Sequence, residues 1–182
     1  MATPTTLPAS FTAGQVLTAA QMNDIRGAFR VLQVVSTAKT DTFTTSSTTL
    51  VDVTGLSASI TPSATSSKIL VMAHMTTAMD GTATNGLYVT LLRDATPVGV
   101  GDASGSRARV TTDQGITSFS NGLNNVSFVY LDSPTTTSAT TYKIQVKSET
   151  AAALYVNRSR NDANNAGVGR GISTITVMEI SA

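Results

Sequence analysis

The chain has 182 residues and a formal net charge of +1, with only 13% charged residues and no cysteine. This length suits one domain, and the lack of cysteine excludes disulfides and thiolate metal sites. A near-neutral chain has no broad basic face, so we expect no binding to nucleic acid.

Residues 1–10 form a Pro- and Thr-rich arm that we expect to be extended. The arm has neither the basic start nor the apolar run of a secretory signal. The longest aliphatic stretch, residues 69–73, is far too short to span a membrane. We therefore expect synthesis in a cytoplasm, without membrane insertion.

The segment 17–32 has the spacing of a short helix. Thr18 and Gln21 stand three apart, as in a capping box, and Leu17 and Met22 fit a hydrophobic staple. Apolar residues then recur at steps of three and four: Met22, Ile25, Phe29 and Leu32. A helix of about three turns is marginal alone, so it must pack on its own domain, on another subunit or on a particle.

From about Val31 onward, β-branched residues and turn signals predict strands. The predicted strands are 31–38, 48–53, 56–60, 68–77, 86–93, 97–101, 125–132, 141–149, 153–157 and 172–180. Nine or ten short strands at this spacing predict an all-β, antiparallel jelly-roll sandwich. We therefore divide the chain into an N-terminal arm and helix, residues 1–30, and a β domain, residues 31–182.

Several predicted strands have apolar residues on both faces. Residues 142–147 alternate strictly between apolar and polar, but residues 126–131 place Val129 and Leu131 on the face opposite to Val126. A sandwich covers only one face of each strand, so a second apolar face needs a helix, a loop or a neighbouring subunit over it. Several such strands together favour an oligomer.

Few residues are candidates for catalysis. His74, the only histidine, lies in the apolar run 69–75, which favours a packed or hydrogen-bonded strand residue over a catalytic base or a ligand on a symmetry axis. Most carboxylates fall at predicted turns, and the glycines of residues 167–171 precede a strand rather than a helix, unlike a phosphate loop. We therefore predict a protein that is not an enzyme, with no cofactor and no metal.

Arginines are concentrated in predicted loops. Five of the eight lie there: Arg107, Arg109, Arg158, Arg160 and Arg170. They are either solvated loop tips or a basic rim that faces an anionic ligand.

Three segments resemble proteins of bacteriophage particles. Residues 31–75, VLQVVSTAKTDTFTTSSTTLVDVTGLSASITPSATSSKILVMAHM, resemble a module common in phage fibre and virion-surface proteins, and residues 173–180, STITVMEI, resemble its last strand. Residues 11–29, FTAGQVLTAAQMNDIRGAF, are similar to N-terminal segments of phage virion proteins. The resemblance implies a trimeric jelly roll of tumour-necrosis-factor-like shape with an N-terminal attachment segment, and it supplies no catalytic residues.

The sequence thus predicts a homotrimeric structural protein at the virion surface, synthesised in the host cytoplasm. It would be a capsid decoration, a head fibre or a tail-fibre knob, with other capsid or tail proteins as partners. Trimer contact or attachment is assigned to the apolar residues of the helical segment, namely Leu17, Met22, Ile25, Phe29 and Leu32.

The alternative is a tail-fibre tip that recognises host surface glycans, although only 5% of residues are aromatic. A depolymerase is a third reading, which the single histidine and the few carboxylates disfavour.

Overall fold

The computed structural model describes residues 13–14, 16–19, 22, 31–80, 86–115 and 120–181. In these ranges eleven strands form two antiparallel sheets that pack face to face, which confirms the predicted all-β sandwich. The strands are β1 (Val31–Lys39), β2 (Phe43–Thr45), β3 (Val51–Ile60), β4 (Lys68–Met79), β5 (Gly86–Arg93), β6 (Thr96–Val98), β7 (Thr112–Gly115), β8 (Asn124–Asp132), β9 (Thr140–Ser148), β10 (Leu154–Val156) and β11 (Ser173–Ile180). In the same ranges no helix is long and apolar enough to cross a membrane.

The strand order is that of a jelly roll. The first sheet runs β1-β11-β4-β8, and the paired strands β2 and β10 extend β1 and β11. The second sheet runs β3-β9-β5, with β6 and β7 both paired to the far edge of β5. Counting β1 with β2, β6 with β7 and β10 with β11 as one strand each leaves eight strands, which pair first with last, second with seventh, third with sixth and fourth with fifth.

Alternating side chains from both sheets fill the core. Ile69 and Val71 on β4 and Ile175 on β11 are fully buried, and they belong to one hydrophobic cluster with Leu91 and Ile144 of the opposite sheet. Burying each such side chain contributes about 1.5–3 kcal/mol, so the core is the main source of stability. The same alternation directs every second residue of these strands to the outside.

Apart from shifts of one or two residues at strand ends, the observed strands differ from the predicted ones in three ways. The predicted strands 48–53 and 56–60 are one strand, β3, because Gly55 adopts a left-handed conformation, φ 82°, at a shift of register. The predicted strand 97–101 ends at Val98, because Gly99 turns at φ 59° against the ring of Tyr130. Strands β2 and β7 were not predicted, since three or four polar and aromatic residues carry no alternation signal.

The helical segment is only partly described. The Met22 amide donates a hydrogen bond to the Thr18 carbonyl at 3.0 Å, which is one helical turn, and Leu17 next to it is half-buried. Ile25 and Phe29 lie outside the described residues. Placing Leu32 on the helix seam was wrong, because β1 has already begun at Val31, which pairs with Ile180.

Buried polar residues hold the sheets and their connections together. Tyr142 on β9 donates a hydrogen bond to Asp132 Oδ2 on β8 at 2.7 Å, and Arg93 on β5 donates to both carboxylate oxygens at 2.9 and 3.1 Å. Burial, reinforced by this hydrogen bond, raises the pKa of Tyr142, so its hydroxyl stays protonated. The three side chains therefore connect the two sheets at one end of the sandwich.

Glu179 on β11 is fully buried, and neutral donors hold its carboxylate. Gln33 Nε2 donates to it at 2.6 Å, the Ser63 amide and hydroxyl donate at 2.7 and 2.6 Å, and Ser67 Oγ donates at 2.7 Å. Burial alone would raise the pKa of Glu179, but these hydrogen bonds outweigh it and lower the pKa to about 2. The carboxylate of Glu179, on β11, therefore joins Gln33 of β1 to Ser63 and Ser67 in the connection between β3 and β4.

Glu179→Gln is expected to lower the free energy of unfolding at neutral pH by about 2–3 kcal/mol. The amide NH₂ of glutamine would face N–H and O–H groups that donate hydrogen bonds to the carboxylate in the wild type. In the wild type the folded-state pKa lies below the ordinary 4.5, so the unfolded chain binds a proton first. Stability should therefore fall as the pH drops from about 5 towards 2.

Urea denaturation of both proteins at pH 7 and pH 3 measures the two effects. The variant should lose less stability on acidification than the wild type. Glu149→Gln, at an exposed position, is the control and should keep the wild-type acid loss. An equal acid loss in the wild type and in Glu179→Gln would contradict this role.

Candidate functional site

The outer face of the β1-β11-β4-β8 sheet presents rows of side chains that the described part of the chain leaves uncovered. The strand registers align these side chains across all four strands. The first row consists of Val34, Met178, Leu70 and Leu131. The second row consists of Ser36, Thr176, Met72 and Val129, and the third of Ala38, Thr174, His74 and Ser127.

This face, which we call the apolar face, is most exposed along its two outer strands. On β1, Val31 and Val34 are 51% and 53% exposed, and on β8, Val129 and Leu131 are 67% and 53% exposed. The residues of the two middle strands, such as Met72, are half-buried between these neighbours. Large aliphatic side chains at such exposure, in adjacent positions, form a continuous patch rather than scattered surface residues.

The outer face of the other sheet is charged. Asp52 on β3 accepts hydrogen bonds from Lys143 Nζ and Gln145 Nε2 on β9 at 2.8 and 2.7 Å. The hydrogen bond from Lys143, followed by that from Gln145, lowers the pKa of Asp52. Lys147 Nζ lies 5.1 Å from the centre of the Tyr88 ring. The outer face of the β3-β9-β5 sheet is thus hydrophilic, whereas the apolar face exposes aliphatic side chains.

His74 lies in the third row of the apolar face, where its Nδ1 is 3.0 Å from Ser127 Oγ. This bond confirms the prediction of a hydrogen-bonded strand histidine, although the ring is half-buried rather than inside the core. A serine beside a histidine can serve as a nucleophile and its base, but the base needs an orienting group and the substrate needs a pocket. The neighbours of His74 on this face are Thr174 and Met72, neither of them an acid, and the sheet surface around them is open.

Three of the candidate arginines are engaged by carboxylates. Arg158 and Arg170 lie 3.5 and 2.9 Å from the carboxylate oxygens of Asp162, and Arg160 Nε lies 2.8 Å from Asp80 Oδ1. The guanidinium of Arg158 also stacks 4.3 Å from the centre of the Tyr155 ring. These contacts stabilise the connection between β10 and β11. The sequence could not show them, because the four-residue spacing of Arg158 and Asp162 predicts a contact only on a helix, and Asp80 is far from Arg160 in sequence.

The other two arginines belong to a different loop. Arg107 Nη1 donates a hydrogen bond to Ser104 Oγ, and Arg109 Nε donates to the Gly101 carbonyl, both at 2.7 Å, in the connection between β6 and β7. This connection borders β5, whereas the β10–β11 connection contacts Ser120 through the Asn161 amide at 2.8 Å. The five arginines thus form two separate groups, and a ligand-facing role for either group stays a prediction. In the described ranges no three His, Cys, Asp or Glu side chains are grouped so that they could hold a metal ion.

Comparison with known proteins finds likenesses among solved structures but not among protein families or curated sequences. The sequence matches no known protein family and no curated protein. Solved structures of infectious bursal disease virus are similar: that of the Gx strain has a TM-score of 0.42 at 15% identity, covering 81% of this chain and 38% of that chain. Particles of T=1 symmetry derived from the same virus have a TM-score of 0.43 at 15% identity, covering 81% and 37%. The chain spans less than two fifths of the length of these proteins, and so distant a likeness assigns no function.

Replacing His74 with Gln is expected to leave any biological activity intact and to cost about 1 kcal/mol, the value of one partly exposed hydrogen bond. Ser127→Ala should have the same small effect. If the two residues were instead a catalytic pair, each variant would lose at least about a hundredfold in rate while staying folded. Thermal melting and a host-polysaccharide degradation assay distinguish these outcomes, and cleavage by the wild type that both variants lose would overturn the structural interpretation.

Proposed function

We propose that this chain is a non-enzymatic structural protein of a bacteriophage particle, displayed on the virion surface as a homotrimer. It would be an appendage or decoration of the capsid or the tail, attached through residues 1–30. One observation carries the proposal. The segments that resemble a phage virion module, residues 31–75 and 173–180, are far apart in sequence but contribute three neighbouring strands, β1, β11 and β4, of one sheet.

The position of the N-terminus in the fold agrees with attachment. Strand β1 lies at the edge of its sheet, with β11 as its hydrogen-bonded partner. The β domain therefore begins at the periphery of its sheet. Residues before Val31 can contact another protein while the sandwich keeps its own packing.

The polar clusters of the β domain serve the fold in every case described above. Asp132 is occupied by Arg93 and Tyr142, Glu179 by hydroxyl and amide donors, and Asp162 by two arginines. A catalytic carboxylate needs a free oxygen directed at a substrate. Carboxylates that connect strands and loops are what a rigid structural component requires.

A second candidate function is host glycan recognition by the β10–β11 connection. This connection is closed at its base by backbone contacts. The Gly171 amide donates a hydrogen bond to the Asn157 carbonyl at 3.1 Å, and the backbones of Arg158 and Arg170 form an isolated antiparallel β-bridge. A shallow pocket in it is lined by Asp162, Ala163, Asn164, Asn165, Val168 and Arg170. Carboxylate, amide and guanidinium groups match sugar hydroxyls, but the nearby Tyr155 ring is stacked by Arg158 and is not free to form a platform for a sugar.

Deleting residues 1–30 is expected to leave a folded β domain that no longer joins particles. The reason is that the core and both sheets are built from residues after 30 in the described chain. Circular dichroism tests folding, and co-purification with particles after infection tests attachment, with the full chain as control. Normal incorporation of the truncated protein would contradict attachment through this segment, and loss of the β-sheet spectrum would show that the segment belongs to the core.

A further inference from the structure

We infer that the β10–β11 connection holds a binding site for a single uncharged sugar unit, which it recognises through the hydroxyl groups of the sugar. The inference deepens the second candidate function, on which its biological role rests, by naming the ligand class and the side chains that contact it. The site is the shallow pocket described above, whose volume is about 220 Å³. Small-molecule pockets usually measure roughly 300–1,000 Å³, so this pocket has room for one sugar ring rather than for a longer ligand.

The connection is a compact loop whose two ends meet. The backbone contacts at its base close residues 157–171 into an Ω-loop, a type of loop that frequently carries function. Asn157, at the base, is fully buried, and its Nδ2 donates hydrogen bonds to the carbonyls of Lys39 and Asp41 at 2.7 and 2.9 Å. Ser173 Oγ donates to Asn157 Oδ1 at 2.6 Å. The loop is therefore attached to the rigid sheet at its base.

Further contacts hold the body of the loop in place without a ligand. The Asn161 amide donates to the Ser120 carbonyl at 2.8 Å, and Asn161 Nδ2 donates to Asn121 Oδ1 at 2.9 Å. On the other side, Arg160 pairs with Asp80 at 2.8 Å. A site whose residues are already held loses little conformational entropy when a ligand binds. The pocket is thus largely formed in the free protein.

The tip of the loop presents amide groups to the pocket. The Asn165 carbonyl accepts a hydrogen bond from the Val168 amide at 3.2 Å, and Asn165 Oδ1 accepts one from the Gly167 amide at 2.9 Å. Because Oδ1 is occupied in this way, Nδ2 of Asn165 is the group that can donate to a ligand. The exposed Asn164 beside it offers both a donor and an acceptor.

The charged residues that line the pocket neutralise each other. Arg170 Nη2 lies 2.9 Å from the carboxylate of Asp162, and 59% of the Arg170 side chain is exposed. The carboxylate keeps lone pairs that can accept hydrogen bonds, and the guanidinium keeps N–H groups that can donate them. An anionic ligand would meet Asp162 and a cationic ligand would meet Arg170, so a charge of either sign is disfavoured. Uncharged groups that both donate and accept are favoured, and sugar hydroxyls have this property.

The apolar part of the wall consists of Ala163 and the half-buried Val168. The C–H groups of a sugar ring can pack against these side chains, so recognition does not require the Tyr155 ring. Hydrogen bonds that replace those to water contribute little net free energy, so we expect millimolar affinity for one site. Display of many copies on one particle would convert weak single-site binding into firm attachment.

Nuclear magnetic resonance of the full chain tests the inference. The probes are the methyl glycosides of glucose, galactose, mannose and N-acetylglucosamine, with glucuronate as the anionic and glucosamine as the cationic comparison. At least one neutral glycoside at millimolar concentration should shift the side-chain amide signals of Asn164 and Asn165, and the charged sugars should bind more weakly. If no neutral glycoside shifts these signals, or if a charged sugar binds more tightly, the inference is overturned.

Two variants and a matched control locate the site. Arg170→Ala should weaken binding of the glycoside about fivefold to tenfold, and Arg107→Ala, which removes an exposed arginine from the other loop, should not. Because Arg170 also holds Asp162, Asn164→Ala is the second variant and should weaken binding by a similar factor with an unchanged β-sheet spectrum. Wild-type affinity in both pocket variants, or an equal loss in Arg107→Ala, would overturn the assignment of the pocket.

Adsorption of particles to host cells separates the site from its biological role. If a neutral glycoside binds the pocket but particles that carry Asn164→Ala and Arg170→Ala adsorb normally, host recognition fails and the sugar site stands. If adsorption requires this chain but no neutral glycoside shifts the pocket signals, the sugar site fails and host recognition stands.

Discussion

Each sheet of a sandwich buries one face against the other sheet, and the polarity of the two outer faces determines what else this structure needs. On β9 the outward residues are polar or charged, and Lys143 pairs with Asp52 across the strands. On β8 the outward residues include Val129 and Leu131. A hydrated outer face needs nothing more from its surroundings. An aliphatic outer face costs free energy in water, of the order of 25 cal/mol for each Å² left exposed, and association removes that cost.

The small number of charged residues in the chain increases the contrast between the two outer faces. Several of the chain's charged side chains are held by polar partners: Asp132 by Arg93, Asp162 by Arg158 and Arg170, and Glu179 by hydroxyl donors. Threonine and serine supply most of the remaining polar surface. Hydroxyls hydrate a strand without carrying a charge, so they can lie among aliphatic side chains without adding charge to the face. The pairing of Ser36 with Thr176 at 2.8 Å within the second row illustrates such a neutral polar contact.

The sequence predicts the features that depend on local periodicity. Strand β5 has the bounds 86–93 expected from its pattern, and the two-faced pattern of 126–131 correctly anticipates that Val129 and Leu131 lie outside the core. Features that depend on distant partners could not be predicted. Strand β2 exists because β10 pairs with it, and Glu179 is an anchor because Ser63 and Ser67 fold over it. The position of Leu32 fits a helical repeat as well as a strand, and the residue belongs to a strand because β1 pairs with β11 from Val31 onward.

The chemistry of the apolar face also determines how strongly a single substitution would alter it. In an enzyme a few atoms carry the reaction, so replacement of one residue removes activity. On a face of four strands the stabilisation is spread over many aliphatic contacts, each worth a small part of the whole. Exchanging Val34 or Val129 for another aliphatic residue would leave the face apolar, whereas a charge at either position would change its character. A surface of this kind therefore depends on the sum of its aliphatic side chains and not on any single reactive group.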